Sequence, residues 1–273
     1  MDGAEGPLEQ RLAIAREQGF TCAHVALSKV ISENSTEDGA LTPGYAMYLK
    51  KLFAKHDMDI AVLGCYLNLA DPNETNLAKT THCYMSHIRF ASLLGAGVVG
   101  TETGAPNEEY RFEEACHSEE ALEIFIRNVR PVVEYAEKMG VILAIEPVYR
   151  HIVCNPERAR RVLDEIDSPN LQIIFDPVNL LDSCNYRDSD AIFAEAIDLL
   201  SDDIAVMHLK DYRVVDGQVV PMAVGTGEMD YSRIIRFIKE RKPYIHATLE
   251  DTVPENAAQA CACLQSLYDA CEI

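Results

Sequence analysis

The stretch Leu171–Leu181, LQIIFDPVNLL, contains the pattern on which the prediction of the fold rests. It begins with an apolar run that includes two β-branched isoleucines, which is typical of a buried strand in a parallel sheet. Pro177 cannot donate a hydrogen bond to a neighbouring strand, so we predict that the strand ends at Asp176. In α/β barrels and doubly wound sheets the ligand site lies at this carboxyl end. Asp176 is therefore a candidate functional residue.

Three more segments have the same construction, an apolar run that ends near a side chain able to bind a metal ion. They are VILAIEP (141–147) with Glu146, IAVMHLKD (204–211) with His208, and YIHATLED (244–251) with Glu250. Because side chains alternate along a strand, Ala144 lies on the face of Glu146, and Lys210 on the face of His208. If these faces point into a barrel, the four candidate side chains converge at its mouth.

Strand and helix patterns alternate along the whole chain, which predicts parallel βαβ units and an α/β fold. The strands are predicted at 21–27, 60–67, 98–101, 141–147, 171–176, 204–210 and 244–250. The helices are predicted at 8–18, 42–56, 74–94, 117–139, 155–166, 189–200, 230–241 and 254–271. Residues 212–229 are predicted to be irregular. The pattern predicts a TIM (βα)₈ barrel in a single domain, residues 1–273, whose first strand is missing from this chain.

Composition narrows the class of protein. Apolar residues make up 48% of the chain and charged residues 25%, as in ordinary soluble domains. No apolar run is long enough to cross a membrane, and the acidic amino terminus does not look like a signal peptide. The nine scattered cysteines are expected to be reduced thiols of a cytoplasmic protein. A net charge of −20 opposes binding to nucleic acid and favours a small-molecule substrate.

The four strand-end residues form a set suited to one divalent metal ion. A single acid at a strand end is more often the N-cap of the next helix, but four such endings favour a metal site. Three carboxylates with one imidazole suit Mn²⁺ or Mg²⁺ and tolerate Zn²⁺ or Co²⁺. The ligands would be Glu146, Asp176, His208 and Glu250.

Several stretches resemble the xylose isomerase-like TIM barrel superfamily, specifically its sugar-phosphate isomerase/epimerase branch; family 2 AP endonucleases belong to the same superfamily. The matching stretches are AIEP at 144–147, FDPVNLL at 175–181, MHLKD at 207–211, VGTGEMDY at 224–231, TLED at 248–251 and GTETG at 100–104. The resemblance implies a metal-dependent sugar or sugar-phosphate isomerase or epimerase. In such an enzyme Glu146 and Glu250 are the catalytic pair, which moves a proton next to a carbonyl from opposite faces of an enediolate.

Further residues are predicted to contact a sugar or cyclitol substrate. They are Lys210, Asn179, His151, Glu102 and Arg213. Two of them depart from the epimerase pattern: Asn179 stands where the epimerases have a histidine, and Arg213 is spaced differently from their arginine after the metal histidine. His24, Tyr66 and Asn68 are weaker candidates for the lining of the mouth.

Three alternative functions stay open at this point. A dehydratase of the inosose or dehydroshikimate type would use the same site and enolate chemistry. An AP endonuclease would need three zinc ions and more strand-end histidines, and the negative charge opposes a DNA partner. A sugar-binding protein without turnover would not need the pair of glutamates. Large acidic barrels of this group often pair, so the resemblance is compatible with a homodimer and leaves the oligomeric state open.

Overall fold

The structure, a computed structural model, describes residues 1–272 and is built on a parallel sheet of seven strands. The strands are β1 (Cys22–Val25), β2 (Asp59–Gly64), β3 (Val98–Glu102), β4 (Leu143–Glu146), β5 (Leu171–Phe175), β6 (Ile204–Leu209) and β9 (His246–Leu249). Their order in the sheet is β1-β2-β3-β4-β5-β6-β9. A separate antiparallel hairpin consists of β7 (Asp211–Val215) and β8 (Gln218–Met222).

Helices flank the sheet and alternate with its strands. They are α1 (Leu8–Glu17), α2 (Leu27–Val30), α3 (Pro43–Lys55), α4 (Glu74–Leu94), α5 (Glu119–Met139), α6 (Pro156–Ile166), α7 (Ser189–Leu200), α8 (Ser232–Arg241) and α9 (Ala257–Ala270). Short 3₁₀ turns occur at Asp38–Ala40, Glu114–His117, Val178–Leu180 and Tyr186–Asp188. Among the described helices, none is long and apolar enough to cross a membrane.

The predicted helix ends are confirmed where capping chemistry is clear. Thr42 Oγ1 accepts a hydrogen bond from the backbone N–H of Tyr45, and Asn155 caps α6 in the same way. A proline follows each cap at the first helical position, where its fixed φ favours a helix. Gly95 ends α4 with φ of 79°, a left-handed conformation that costs glycine little.

Two apolar layers hold the barrel together. The larger lies between the sheet and the helices, and the smaller fills the interior of the sheet. The interior cluster consists of Ala61, Val62, Val98, Ala144, Ile174 and Val206. Ala144 and Val206 therefore point inward, as the alternation predicted. Glu146 and His208 continue the same faces towards the carboxyl ends of their strands.

The barrel is nearly closed between its two edge strands, β1 and β9. In residues 1–272 the parallel sheet has no eighth strand, and residues 1–7 form none, which fits the predicted missing first strand. The amino-terminal segment lies at this junction instead. The Met1 amino group donates to the carbonyl of His24 at 3.2 Å, and Gln18 Nε2 donates to the carbonyl of Gly3 at 2.8 Å.

The prediction that residues 212–229 are irregular was wrong for their first half, which forms the hairpin. The turn is Asp216–Gly217, with φ of 51° and 77°. The sequence VVDGQVV contains the Asp-Gly pair between apolar residues that favours this tight turn. The loop that follows is held by the Asp211 carboxylate, which accepts hydrogen bonds from the backbone N–H groups of Tyr212, Gly225, Gly227 and Met229.

Replacing Asp211 is expected to destabilise the fold because its carboxylate is buried and has four donors. Asp211→Ala leaves these N–H groups without an acceptor and should lower the free energy of unfolding by about 2–4 kcal/mol. Urea denaturation measures the change. Asp216→Asn is the control: Asp216 is exposed in the hairpin turn, and asparagine tolerates its positive φ. Equal losses in the two variants would show that Asp211 does not hold the loop.

Candidate metal and catalytic centre

The four side chains predicted as metal ligands come together at the carboxyl ends of β4, β5, β6 and β9. Each of Glu146, Asp176, His208 and Glu250 offers one ligand atom, and these atoms all lie within 4.8 Å of one another. His208 is at the centre: its Nδ1 is 3.2 Å from Glu146 Oε2 and 3.0 Å from Glu250 Oε1. Parallel strands explain the convergence, because all their carboxyl ends meet at one rim.

Local structure fixes the position of Asp176. It follows β5 directly, and the chain turns after it into the Val178–Leu180 3₁₀ turn. Asp176 Oδ1 accepts hydrogen bonds from the backbone N–H groups of Val178 at 2.9 Å and Asn179 at 3.2 Å. Its other oxygen, Oδ2, is left facing the cluster. Asp176 is thus at once a cap for the turn and a candidate ligand.

Lys210 lies deeper in the cluster than the sequence suggested. Its Nζ is 2.7 Å from Glu250 Oε2 and 2.9 Å from Asp176 Oδ2, and only 5% of its side chain is exposed. The ammonium group therefore neutralises part of the charge of these two carboxylates and of the nearby Glu146. With a divalent cation added, the set of three carboxylates and one lysine is electrically balanced, which a buried site requires.

The pKa values of the cluster reflect competition between burial and charge. Burial opposes a charge on His208, but Glu146 and Glu250 outweigh it and raise the pKa of His208 to about 10. Burial raises the pKa of Asp176 to about 7, against the opposing effect of Lys210. For Glu250 the cations His208 and Lys210 outweigh burial and hold its pKa well below the usual range.

The residues present fit a divalent metal ion. Nε2 of His208 is buried without a hydrogen bond, and Nδ1 of His208 and Oδ2 of Asp176 are buried with charged neighbours but no hydrogen bond of good geometry. Such buried polar atoms are costly unless something binds them. A metal ion would take the place of the proton on His208 and bind the free oxygens of the carboxylates. Oxygen-rich sets with one imidazole suit the hard divalent ions.

Two aromatic side chains, His24 of β1 and Tyr66 after β2, lie next to the cluster. The ring of His24 stacks on His208, with centroids 5.1 Å apart, and His24 Nε2 lies 3.2 Å from the hydroxyl of Tyr66. Burial lowers the pKa of His24 to about 3, so its ring is neutral. Gly64 leaves room for this contact, because a Cβ there would lie 2.7 Å from His24 Nε2.

Glu102 is the centre of a second polar group on the same rim, next to the cluster. It is at the end of β3, in register with Glu146 of β4. Tyr110 donates to Glu102 Oε2 at 3.2 Å, and His151 Nδ1 lies 3.7 Å from the same oxygen. Burial, followed by the charge of Glu146, raises the pKa of Glu102 to about 7, so a large fraction of it is protonated at neutral pH. Burial also lowers the pKa of His151 to about 4.

The other predicted contact residues fall into different places. Asn179 lines the cavity and donates from Nδ2 to Glu146 Oε1 at 2.6 Å, so it orients a candidate base. Arg213 lies on the hairpin and donates to the carbonyl of Thr226, away from the cavity. Asn68 braces the loop after β3 through the carbonyls of Ala105 and Asn107. A substrate contact by Arg213 stays a prediction.

A cavity of about 460 Å³ opens beside the cluster. Its lining includes Glu102, Glu146, Asn179, Lys210 and Glu250. The lining residues that sequence reasoning missed include Met1, Asp2, Lys29 and Pro221. Of these, only Pro221 could have been found, through the Asp-Gly turn signal of its hairpin, because Met1 and Asp2 reach the mouth from the amino terminus and Lys29 from the short helix α2.

The profile of the xylose isomerase-like TIM barrel family matches residues 12–267. The chain therefore belongs to this family, as the motifs predicted. The family's fold agrees with the nearly closed sheet and its flanking helices. A comparison with curated protein sequences gives no significant match.

Solved structures with the same fold share little sequence with the chain. The apo 3-keto-D-glucoside 4-epimerase YcjR of E. coli is 14% identical, with a TM-score of 0.74, over 97% of this chain and 95% of that one. A xylose isomerase-like TIM barrel protein of Mycobacterium smegmatis in complex with magnesium is 18% identical, with a TM-score of 0.72, over 98% and 91%. The probable 3-DHS dehydratase AsbF of Bacillus anthracis is 16% identical, with a TM-score of 0.69, over 94% and 91%.

Proposed function

We propose that this protein is a divalent-metal-dependent isomerase or epimerase that moves a proton next to the carbonyl of an uncharged sugar or cyclitol. The observation that supports it most is that Glu146 and Glu250 line one polar cavity and both lie within 3.2 Å of His208 Nδ1. Two carboxylates at one rim provide both a base and an acid for a single carbon centre. Their strands, β4 and β9, are separated in the sheet by β5 and β6, so they approach from different sides.

Each glutamate is held by a different partner. Asn179 donates to Glu146 Oε1, which fixes that carboxylate and leaves Oε2 towards His208. Glu250 is fixed by Lys210 and is the more exposed of the two, with 27% of its side chain accessible. A divalent ion, held by these glutamates with Asp176 and His208, would supply a Lewis acid for the substrate's oxygens. The glutamates then remove and return the proton.

The charges around the cavity favour an unphosphorylated substrate. The acidic side chains in its lining are Asp2, Glu102, Glu146, Glu250 and Asp251. The cationic side chains in the described lining are Lys29 and Lys210, and Lys210 is already paired with two carboxylates. No arginine of the described lining offers the planar fork that phosphate groups favour. We therefore infer a neutral ketose or inosose rather than a sugar phosphate.

Proton exchange in D₂O tests this function. The purified protein with Mn²⁺ is incubated with a panel of ketoses, ketose phosphates and inososes, and NMR follows the loss of substrate C–H signals. We expect exchange next to the carbonyl of a neutral compound, even where net conversion is small. Absence of exchange across the neutral compounds, with exchange of a phosphorylated one, would contradict the assigned substrate class. Absence of exchange throughout, with tight binding of a sugar, would favour a binding protein.

Lys210→Met is expected to lower kcat/KM by about 100-fold while metal binding is retained. The ammonium group lies beside two carboxylates and can stabilise negative charge that develops on the substrate, an effect of about this size for one donor. Steady-state kinetics with saturating Mn²⁺ and metal titration by calorimetry measure the two effects. Lys29→Met, in the same cavity but without a described ion pair, controls for loss of positive charge. Loss of metal affinity with normal turnover at saturating metal would show that Lys210 serves the metal site.

A dehydratase is the second candidate, favoured by Glu102 with Tyr110 and His151 behind it. This third carboxyl group in the cavity could protonate a departing hydroxyl after the C–H proton is removed. Elimination of water gives an unsaturated ketone, which absorbs in the ultraviolet. Isomerisation and epimerisation do not form this unsaturated product. The same panel therefore separates the two reactions. The acidic cavity gives no support to the endonuclease hypothesis.

A further inference from the structure

A second cluster of reactive side chains lies outside the barrel, between its wall and α4. Cys65 follows β2, and Cys83 and His87 are one turn apart on α4. A sulfur from each cysteine and a ring nitrogen of His87 all lie within 4.8 Å of one another. Cys65 is buried, whereas Cys83 and His87 are half-buried and so reachable from solvent. No step of the proposed reaction uses these residues.

The geometry identifies Cys83 as the nucleophile of the cluster. Its Sγ lies 3.5 Å from His87 Nδ1, and the same nitrogen lies 3.0 Å from the carbonyl oxygen of Cys83. A carbonyl only accepts, so Nδ1 must have a hydrogen, which it also directs at the sulfur. The neighbouring Cys65 thiol, with help from His87 and against burial, lowers the pKa of Cys83 to about 6. The pKa of the Cys65 thiol is raised, so it stays protonated.

We propose that Cys83 is a peroxide-reactive thiolate and that Cys65 is its resolving thiol, so that hydrogen peroxide converts the pair into a disulfide. The Cys83 thiolate attacks one peroxide oxygen and breaks the O–O bond, giving a sulfenic acid and hydroxide. The hydroxide takes a proton from the imidazolium form of His87, whose pKa Cys83 raises against the effect of burial. The Cys65 thiol then attacks the sulfenic sulfur, and the second oxygen leaves as water. The two sulfurs lose two electrons in total, and the peroxide gains them.

A metal site in this cluster is the competing reading, since two thiolates and an imidazole suit Zn²⁺. The position of His87 argues against it. Ligation through Nδ1 would remove the hydrogen that lies between this nitrogen and the Cys83 carbonyl, and would place two acceptors 3.0 Å apart. Asp38 is a further charged group near Cys83. Its negative charge opposes ionisation of the thiol, but the pKa of Cys83 is lowered nonetheless.

The position of Cys65 links the cluster to the barrel wall. The next residue, Tyr66, lines the cavity and lies 3.2 Å from His24, which stacks on His208. A disulfide requires the two sulfurs to approach to about 2.05 Å. Oxidation would therefore draw α4 and the end of β2 together directly behind the candidate centre.

Peroxide treatment of the reduced full-length protein, followed by non-reducing peptide mass spectrometry, tests the proposal. We expect a Cys65–Cys83 cross-linked peptide, a mass loss of about 2 Da per chain and its reversal by dithiothreitol. In Cys65→Ser the sulfenic acid at Cys83 should persist and be trapped by dimedone. Cys184, which is exposed, is the internal control. Faster oxidation of Cys184 with no Cys65–Cys83 peptide would overturn the proposal.

Alkylation kinetics provide a readout that does not depend on disulfide closure. The rate of iodoacetamide reaction at Cys83 should rise with a midpoint near pH 6 and, at pH 6, exceed that of Cys184 by about tenfold after allowing for the lower nucleophilicity of an acidic thiol. His87→Asn should move the midpoint upward. An unchanged midpoint in His87→Asn would overturn the role given to His87. Zn²⁺ binding at one equivalent that protects both cysteines in the wild type would show a metal site instead.

Discussion

Glu250→Gln is expected to lower turnover by about 10²–10⁴-fold, the usual size of a general-base contribution. Glutamine keeps the shape of the side chain and one oxygen ligand, but it cannot accept a proton. Metal binding should weaken less than turnover falls. Steady-state kinetics at saturating Mn²⁺ separate the two effects, and Glu255→Gln, on the exposed segment after β9, is the matched control. Unchanged turnover in Glu250→Gln would remove Glu250 from the catalytic pair.

The same variant also tests whether the two glutamates work from opposite faces. In an epimerase, Glu250→Gln and Glu146→Gln should each block C–H exchange from one epimer far more than from the other. Glu146→Gln has a further expected effect, because its Oε1 accepts from Asn179. Equal loss from both epimers in both variants would indicate one base only, and therefore isomerase or dehydratase chemistry.

The second large expected effect is stabilisation of the fold by the proposed metal ion. An ion that binds only the folded chain should raise the free energy of unfolding by about 2.7 kcal/mol at 100 times its dissociation constant. Thermal unfolding with increasing Mn²⁺ measures this shift without knowledge of the substrate. His208→Gln removes the central ligand and should weaken metal binding by more than the 10- to 100-fold typical of a lost supporting contact.

His246→Gln is the matched control for that experiment. His246 begins β9, at the amino end of the strand, where its Nε2 lies 3.2 Å from Asp59 Oδ2. This variant should retain the full Mn²⁺ shift. Equal metal responses in the wild type and His208→Gln would contradict the assigned ligand set, and loss of the shift in His246→Gln alone would place the ion elsewhere.

The sequence was sufficient to predict the fold and the convergence of the candidate ligands because both depend on local patterns. The strand period and the strand-end side chains identified Glu146, Asp176, His208 and Glu250. Parallel pairing of the strands then places all four on one rim. The start of α6 was predicted from a local pattern in the same way, with Asn155 as the N-cap and Pro156 as the first helical residue. The hairpin has a local signal, the Asp216–Gly217 turn between valines, but it interrupts the alternation of strands and helices on which the prediction of the fold rests.

Contacts between distant loops could not be predicted in the same way. The bonds of Asn179 to Glu146 and of Lys210 to Asp176 depend on side-chain rotamers and on the exact path of the chain after each strand. The stacking of His24 on His208 joins β1 to β6, which are not neighbours in the sheet. The four-donor role of Asp211 depends on a loop whose course has no periodic signal.

One measurement tests the central claim most directly: an anomalous-difference map from crystals grown with excess Mn²⁺, recorded at a wavelength where manganese scatters anomalously. The account predicts one strong peak among Glu146, Asp176, His208 and Glu250, at about 2.0–2.4 Å from the ligand atoms of all four. A map with no peak among these side chains, or with its strongest peak at Cys65, Cys83 and His87, would contradict it.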